Sequence, residues 1–314
     1  RAAVQRIATL NLRGMIETAL GEFESARSHL AEASVSACDL GQALTSRMIE
    51  DSQACLAAAR GENDAALAAL LRLGTDSSEM QEQWLHSFVL CHQGTVLRRV
   101  GDVDASITPT SIAVEQALKV SDPYLALNVQ ANFALSEGLL GHQRLDQLRK
   151  LETQAREGGL RFVESKAVLF RAVLQMEEGN RTRAVELLEC CLPLQLELGH
   201  VNLVAQELCP RPELTGLVLR RHRSNGLGPA LIKALSRHWR FSEFSQVLRE
   251  LCQSQVGTWI DLIGSDHDAA LHRECDTVPD LPVNGPSHLD DLTPRELQVL
   301  ALMADRLSNE EIGR

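Results

Sequence analysis

The sequence is poor in aromatic residues and contains no long apolar run. Of its 314 residues only 4% are Phe, Trp or Tyr, whereas Ala and Leu are abundant. Sandwiches and barrels favour aromatic and β-branched residues, so this composition favours helices. No apolar run approaches the roughly 18 residues that a membrane-spanning helix needs, and no charged-then-apolar leader opens the chain. We therefore expect an all-α, cytoplasmic protein that is not embedded in a membrane.

The sequence also lacks the motifs of several common enzyme and cofactor sites. It contains no C-x-x-C, no G-x-x-x-x-G-K-[ST] phosphate loop, and no spaced carboxylate pair or nucleophile–His–acid set. His86, Cys91 and His92 come nearest to a metal site, but no second pair completes a tetrahedral set. The sequence predicts neither catalytic activity nor a metal or cofactor in this chain.

The eight cysteines are spaced without a disulfide or metal pattern. They are Cys38, Cys55, Cys91, Cys190, Cys191, Cys209, Cys252 and Cys275. Most stand among apolar residues of helical segments, so we expect reduced, small core residues in a cytosolic protein.

The formal charge is −11, which argues against most of the chain lying along nucleic acid. One stretch differs: residues 211–249 contain eight Lys or Arg and two Asp or Glu. Two interpretations remain open for it. It is either a dock for DNA phosphate or for an acidic partner domain, or a solvated face that balances an acidic chain.

Glycines recur through the first two thirds of the sequence at a fixed interval. Gly21, Gly61, Gly101 and Gly141 are 40 residues apart, and Gly179 follows 38 residues later. A small residue stands seven positions before each: Gly14, Ala54, Gly94, Ala134 and Ala172. The positions five and nine residues after each glycine are small and then apolar in repeats one, two and five, but polar or charged in repeats three and four. The register therefore indicates a repeating unit.

Each unit is expected to be a pair of helices. The glycine ends the first helix in a left-handed conformation, and the small residue before it lets a neighbouring helix approach closely. Stacked pairs bury a continuous core as a superhelix. We expect Gly61→Val or Gly141→Val to destabilise it by roughly 1 kcal/mol or more. Pro109 interrupts repeat three, whose second helix should either start late, capped by Thr108, or be kinked.

These positions resemble those of tetratricopeptide repeats, with about six extra residues per unit, between Ala8 and Gly199. We expect the helical-repeat domain to extend over residues 1–263. Residues 264–291 contain seven acidic residues and three prolines, which predicts an extended, acidic linker.

The stretch "LTPRELQVLALMADRLSNEEIGR" opens with a helix start signal. Thr293 and Glu296 form a capping box around Pro294, and Ser308 and Glu311 form a second box. The periodicity predicts that Leu297, Leu300, Ala301 and Ala304 form one apolar face of the first helix. Ile312 is expected to be the first core residue of the second helix. A short helix followed by a newly capped helix is how a helix-turn-helix unit begins.

These residues resemble the LuxR-type DNA-binding domain, whose signature contains Leu-Thr-x-Arg-Glu and Leu-Ser-Asn-x-Glu-Ile. The resemblance covers residues 292–314, and Gly313 departs from the usual Ala. It implies that Ser308 and Asn309 approach the DNA backbone. It also implies that Arg295 and Glu296, with the capping and apolar residues above, hold the module together rather than contact bases.

A tetratricopeptide-like region followed by such a domain resembles the large ATP-dependent LuxR regulators, the MalT-like group. The resemblance implies an inducer or regulatory protein bound by the repeats, promoter DNA bound by the terminal domain, self-association, and ATP bound by a module not recognisable here. Because the chain opens inside a helical pattern and stops within the motif, we expect a fragment of a longer transcription regulator. The alternative is a tetratricopeptide-like interaction scaffold that does not read DNA.

Overall fold

The computed structural model describes residues 2–79, 82–222 and 227–252, which form fourteen α-helices and no strand. The first ten helices are α1 Ala2–Leu20, α2 Phe23–Asp39, α3 Ala43–Ala59, α4 Asn63–Glu79, α5 Gln83–Arg99, α6 Val103–Ala117, α7 Pro123–Leu139, α8 Leu145–Glu157, α9 Arg161–Glu177 and α10 Arg181–Glu197. The last four are α11 Val201–Leu208, α12 Pro212–Arg221, α13 Leu227–Leu235 and α14 Phe241–Cys252. The predicted all-α helical-repeat fold is confirmed.

The periodic glycines separate the two helices of each repeat, as the register predicts. All five have positive φ, from +78° at Gly21 to +96° at Gly101. The residue after each donates its amide to a carbonyl five positions earlier, for example Glu62 to Ala57 at 2.9 Å. This is the Schellman arrangement, which satisfies carbonyls at the end of the first helix. The turns between repeats use further positive-φ glycines, Gly41, Gly159 and Gly199, which the 40-residue register did not include.

The small residue before each turn permits close packing within a repeat. A Cβ atom on Gly14 would lie 2.5 Å from the side chain of Leu30, and one on Gly94 would lie 2.3 Å from Thr110. Leu30 and Thr110 are fully buried and stand at equivalent positions of repeats one and three. The second helix therefore fits against the first only where the first has almost no side chain.

Repeats three and four depart from the pattern for two different reasons. In repeat three, α6 begins at Val103, where Asp102 caps it, and continues through the buried Pro109. The alternative of a late start at Thr108 is therefore wrong. In repeat four, α8 begins four residues after Gly141 rather than two. Its buried positions shift with it, so Leu148 and Leu151 occupy the core instead of Asp146 and Lys150.

The odd-numbered helices α1 to α9 form the inner layer of a superhelix. Each packs against the next odd-numbered helix, whereas the even-numbered helices α2 to α8 pack mainly against their own and adjacent odd-numbered partners. Because the inner layer is the more closely packed, it lies on the concave side.

The superhelix curves far enough for its last helices to reach the first repeats, since α11 packs against α1. Gln206 donates a hydrogen bond of 3.3 Å to the carbonyl of Ala59, at the end of α3. The guanidinium of Arg237, between α13 and α14, donates to the carbonyl of Leu20, at the end of α1. Donors from the C-terminal segment thus satisfy carbonyls that helix ends leave without intrahelical partners.

The described cysteines only partly match the prediction of reduced core residues. The six cysteines between Cys38 and Cys209 are free, and Cys91, Cys191 and Cys209 are buried. Cys38 and Cys190 are exposed, so their assignment to the core is wrong: they lie on the outward faces of second helices. Among the described residues, no helix is both long and apolar enough to cross a membrane.

Candidate functional site

The concave layer holds a group of charged and amide side chains where an apolar lining would be simpler to pack. We call it the inner cluster. Its members are Arg98, Arg99, Asn128, Asn132 and Lys166 of the first helices, and Glu207 of α11. Buried charges are uncommon unless they are paired or functional.

A buried ion pair joins α5 to α11 within the inner cluster. Both terminal nitrogens of Arg98 donate to the carboxylate of Glu207, each at 2.9 Å, and the two side chains are 3% and 1% exposed. Arg99 and Arg211 approach the same carboxylate to 3.7 and 3.8 Å. Burial alone would raise the pKa of Glu207, but the charge of Arg98 overcomes it and lowers the pKa to about 2.

Lys166 brings a further positive charge to the same region. Its Nζ donates to Oδ1 of Asn128 at 2.8 Å and lies 5.3 Å from the ring centre of Phe170. The guanidinium of Arg98 lies over the same ring at 5.6 Å. Burial lowers the pKa of Lys166 to about 8; the thiol of Cys91 opposes the shift, whereas the arginines add to it.

The inner cluster contains more positive charge than its own acid groups balance. Arg98, Arg99 and Lys166 surround the single carboxylate of Glu207, with Arg211 at its edge. Within the part of the chain that the structure describes, the Nε atom of Arg98 is buried and makes no hydrogen bond, whereas that of Arg99 lies 3.7 Å from the carboxylate of Glu207. Because an unsatisfied buried donor costs about 1–3 kcal/mol, this arrangement suits an added anion.

A second polar group lies next to the inner cluster, between repeats two and three. Asp51 and Cys55 are four residues apart on α3, and His92 faces them from α5. Nδ1 of His92 lies 2.9 Å from Oδ1 of Asp51. Burial would lower the pKa of His92, but Asp51 and Cys55 raise it well above its ordinary value. Arg99 is close enough to Cys55 to interact with it electrostatically.

The DNA-binding residues predicted from sequence lie outside the described residues, and so does the predicted linker, 264–291. The same holds for the residues of the closing motif: Thr293, Arg295, Glu296, Leu297, Leu300, Ser308, Asn309, Glu311 and Ile312. Their predicted roles stay predictions. The three residues that came nearest to a metal set are not used together: His86 lines a surface groove, Cys91 is buried against Asn132, and His92 pairs with Asp51.

The basic stretch 211–249 uses most of its arginines within the protein. Arg211 pairs with Glu177 at 3.1 Å, Arg221 with Glu189 at 3.0 Å and Arg240 with Glu243 at 3.0 Å. Arg220 donates to the carbonyl of Leu251 at 3.0 Å, and Arg237 reaches α1. Arg211, Arg221 and Arg237 thus join this stretch to the repeats, whereas the contacts of Arg220 and Arg240 stay within it. The phosphate dock and the solvated face both stay predictions.

Neither polar group was predicted from the sequence, because the members of each come from different repeats. Asp51 and His92 are 41 residues apart, and Arg98 and Glu207 are 109 apart. The group of Asp51, Cys55 and His92 could have been found from the 40-residue register, because Asp51 and Cys55 occupy the positions that Cys91 and Thr95 hold one repeat later. Polar residues at these positions face the first helix of the following repeat, so they indicate polar contacts between neighbouring repeats. The pairing with α11 has no such signal, because the register ends before it.

No protein-family model matches the chain, and no curated protein matches its sequence.

Proposed function

We propose that the chain is the sensing region of a LuxR-type transcription regulator, in which the repeats bind a small anionic effector and thereby control DNA binding. The effector binds at the inner cluster, and the DNA-binding segment begins at Leu292. The single observation that carries the sensing role is the buried excess of positive charge around Glu207. The DNA-binding role is supported by the resemblance of residues 292–314 to the LuxR-type signature.

The chemistry of the inner cluster defines the class of effector. Two arginine forks and an ammonium group recognise carboxylate or phosphate oxygens, and arginine binds such groups in bidentate fashion. The ring of Phe170 lies beside Arg98 and Lys166 but is fully buried, so the groups that define the ligand are the cationic ones. Phosphorylated or polycarboxylate metabolites carry the oxygens that these groups recognise.

The position of Glu207 links effector binding to a conformational change. Its carboxylate is the anion that the arginines hold in the structure, and it stands on α11, which also packs against α1. An added anion competes with Glu207 for Arg98 and Arg99. Binding therefore loosens α11 from the end of α5, which is a local conformational change.

A thermal-shift titration tests the effector class directly. The full chain is titrated with citrate and pyrophosphate, with sodium chloride at matched ionic strength as the reference. We expect a higher unfolding midpoint with either anion, because a ligand that binds the folded state stabilises it. Arg99→Gln should remove the shift, whereas Arg183→Gln, which alters an exposed arginine of α10 paired with Glu186, should retain it. Equal shifts in chloride, or an unchanged response in Arg99→Gln, would exclude the inner cluster.

The transcription role has a separate test. The natural gene product is incubated with fragmented genomic DNA of its own organism, and the bound fragments are sequenced. The experiment is done with and without whichever of citrate and pyrophosphate gives the larger thermal shift. We expect a recurring sequence upstream of genes, enriched to a different extent in the two conditions. Enrichment of no sequence in either condition would contradict DNA reading and favour the interaction scaffold.

The interaction scaffold stays the second candidate because the repeats have an open groove on another face. Its volume is about 480 Å³, and it is lined by Leu71, Gly74, Thr75, Ser78, His86, Leu90 and Gln93 of α4 and α5. Leu71 is 55% exposed, so an apolar side chain is available to a peptide. Thr75→Glu, at an exposed residue of the groove wall, is the matched probe: a peptide partner responds to it, and a ligand of the inner cluster does not.

A further inference from the structure

The group formed by Asp51, Cys55 and His92 has the composition of a metal site rather than of a simple ion pair. Each residue offers one ligand atom, and the three atoms lie within 4.8 Å of one another. Asp51 and Cys55 project from one face of α3, four residues apart, and His92 reaches them from α5. Two rigid helices thus bring together an oxygen, a sulfur and a nitrogen donor.

These distances agree with tetrahedral coordination after small side-chain adjustments. Zinc binds sulfur at ~2.3 Å and nitrogen or oxygen at ~2.0–2.2 Å, which places neighbouring ligand atoms roughly 3.3–3.8 Å apart. The shortest separation here, 2.9 Å between Nδ1 of His92 and Oδ1 of Asp51, lies below that range, and the 4.8 Å limit lies above it. Thiol and imidazole donors select zinc and related transition metals over Mg²⁺ and Ca²⁺.

The repeat architecture supplies an internal comparison. One repeat later, the equivalent positions are Cys91, Thr95 and Asn132. These three also contact one another: the amide of Asn132 lies 3.3 Å from Sγ of Cys91, and the hydroxyl of Thr95 lies 3.3 Å from Oδ1 of Asn132. The architecture therefore brings these three positions together whatever residues occupy them. Between repeats two and three they are a carboxylate, a thiol and an imidazole.

We propose that Asp51, Cys55 and His92 bind a zinc-class divalent metal ion that ties repeat two to repeat three. The inference goes beyond the proposed function, because neither the anionic effector nor DNA binding requires it. Cys55 and His92 are partly exposed, and the His92 side chain is 30% accessible. A water molecule or a ligand from solution can therefore complete the coordination, as in zinc sites with three protein ligands. On binding, the metal replaces the protons that the thiol and the His92–Asp51 pair hold, and those protons go to solvent.

Cobalt provides the direct test, because a thiolate bound to Co²⁺ gives a charge-transfer absorption band in the near ultraviolet. The full chain is reduced, freed of metal by dialysis against a chelator, and titrated anaerobically with Co²⁺ and then with Zn²⁺. We expect the band to saturate at one equivalent of Co²⁺ and to disappear as Zn²⁺ displaces it. Absence of the band at saturating Co²⁺ would overturn the proposal.

Two conservative variants remove one ligand each. His92→Asn introduces the residue that stands one repeat later, and Cys55→Ser removes the thiol. Each should weaken Zn²⁺ binding by at least about tenfold, the lower end of what loss of even a supporting partner costs a metal site. Cys38→Ser, at an exposed thiol of α2, should leave the affinity and the band unchanged. A band that survives in Cys55→Ser, or a Zn²⁺ affinity unaltered in His92→Asn, would show that the metal binds elsewhere.

Discussion

Arg98 and Glu207 form a bidentate ion pair between residues 109 positions apart, with both hydrogen bonds at 2.9 Å and both side chains almost fully buried. The pair fixes α11 against the end of α5. It also supplies the only carboxylate among the inner-cluster residues, so Glu207 has two roles. It holds the C-terminal helices against the repeats, and in the proposed function it occupies the place where the anionic effector binds.

Removing one partner of this pair should be strongly destabilising. Glu207→Gln leaves Arg98 buried without its counter-charge, and breaking a buried pair in this way costs about 3–5 kcal/mol. Urea unfolding followed by far-ultraviolet circular dichroism measures the change. The matched control is Glu186→Gln, which breaks the exposed pair with Arg183 on α10 and should cost less than about 1 kcal/mol. Similar losses in the two variants would contradict the anchoring role of Glu207.

Two glycines in equivalent turns should respond differently to alanine. Gly61 and Gly141 have φ of +85° and +87°, so a Cβ atom is strained in both, at about 1 kcal/mol. At Gly61 that Cβ would also lie 2.5 Å from the ring of Trp239, whereas at Gly141 it meets no atom within 4 Å. Gly61→Ala should therefore cost at least about 1 kcal/mol more than Gly141→Ala, because the ring must move.

A double variant separates the two causes of that difference. In a Trp239→Ala background, the free-energy cost of Gly61→Ala should fall to that of Gly141→Ala. Urea midpoints of the four variants measure it. If the cost at Gly61 does not depend on residue 239, the packing of the C-terminal segment on repeat two is not what the structure indicates.

The stability of the chain should fall in mild acid because of His238. This side chain is 6% exposed and accepts a hydrogen bond from the amide of Arg240 at its Nδ1 atom. Burial first, and then the charges of Arg99 and Arg240, lower its pKa to about 4. The unfolded chain therefore binds more protons between pH 4 and about 6.5, and stability is lost as the pH falls through that window.

The contribution of His238 to this loss is about 2 kcal/mol between pH ~7 and pH ~5, from the difference between its folded and unfolded pKa values. His92, whose folded pKa is raised, contributes in the opposite direction, so the comparison is made with a His238 variant. Unfolding in urea at the two pH values measures it. His238→Gln cannot titrate, so the difference between the two pH values should shrink by most of that amount. An unchanged difference in the variant would mean that other groups cause the acid sensitivity. Glu207 contributes only at lower pH, because its folded pKa is about 2.

The sequence predicted the repeats well because their cause is local. A glycine that must adopt positive φ and a small residue seven positions earlier are both visible in the letters, and Gly14 against Leu30 shows why both are needed. In repeat four the sequence showed only that the positions five and nine residues after the glycine are charged. It did not show that α8 starts two residues later, which is why its buried positions differ. The C-terminal closure was not predictable, because Gln206 and Arg237 reach helix ends 147 and 217 residues away.

A variant of Lys166 can distinguish a structural role of this residue from a role in binding the anion. Its pKa of about 8 means that the buried position disfavours the charged form that it carries at neutral pH. Met48 stands at the equivalent position of repeat two, so Asn128→Met combined with Lys166→Met replaces the polar pair by residues that the architecture already accommodates. Because buried polar pairs are often replaceable by apolar residues without loss, we expect the double variant to be at least as stable as the parent in urea.

The same double variant should lose its response to citrate and pyrophosphate if Lys166 serves binding. If Lys166 serves binding, the double variant should be as stable as the parent or more stable, and it should show no thermal shift with either anion. This combination is expected because residues of binding sites often lower the stability of a protein. A variant that unfolds more easily and still responds to both anions would show the reverse. Lys166 would then be a structural residue, and the anion site would have to be sought at Arg98 and Arg99 alone.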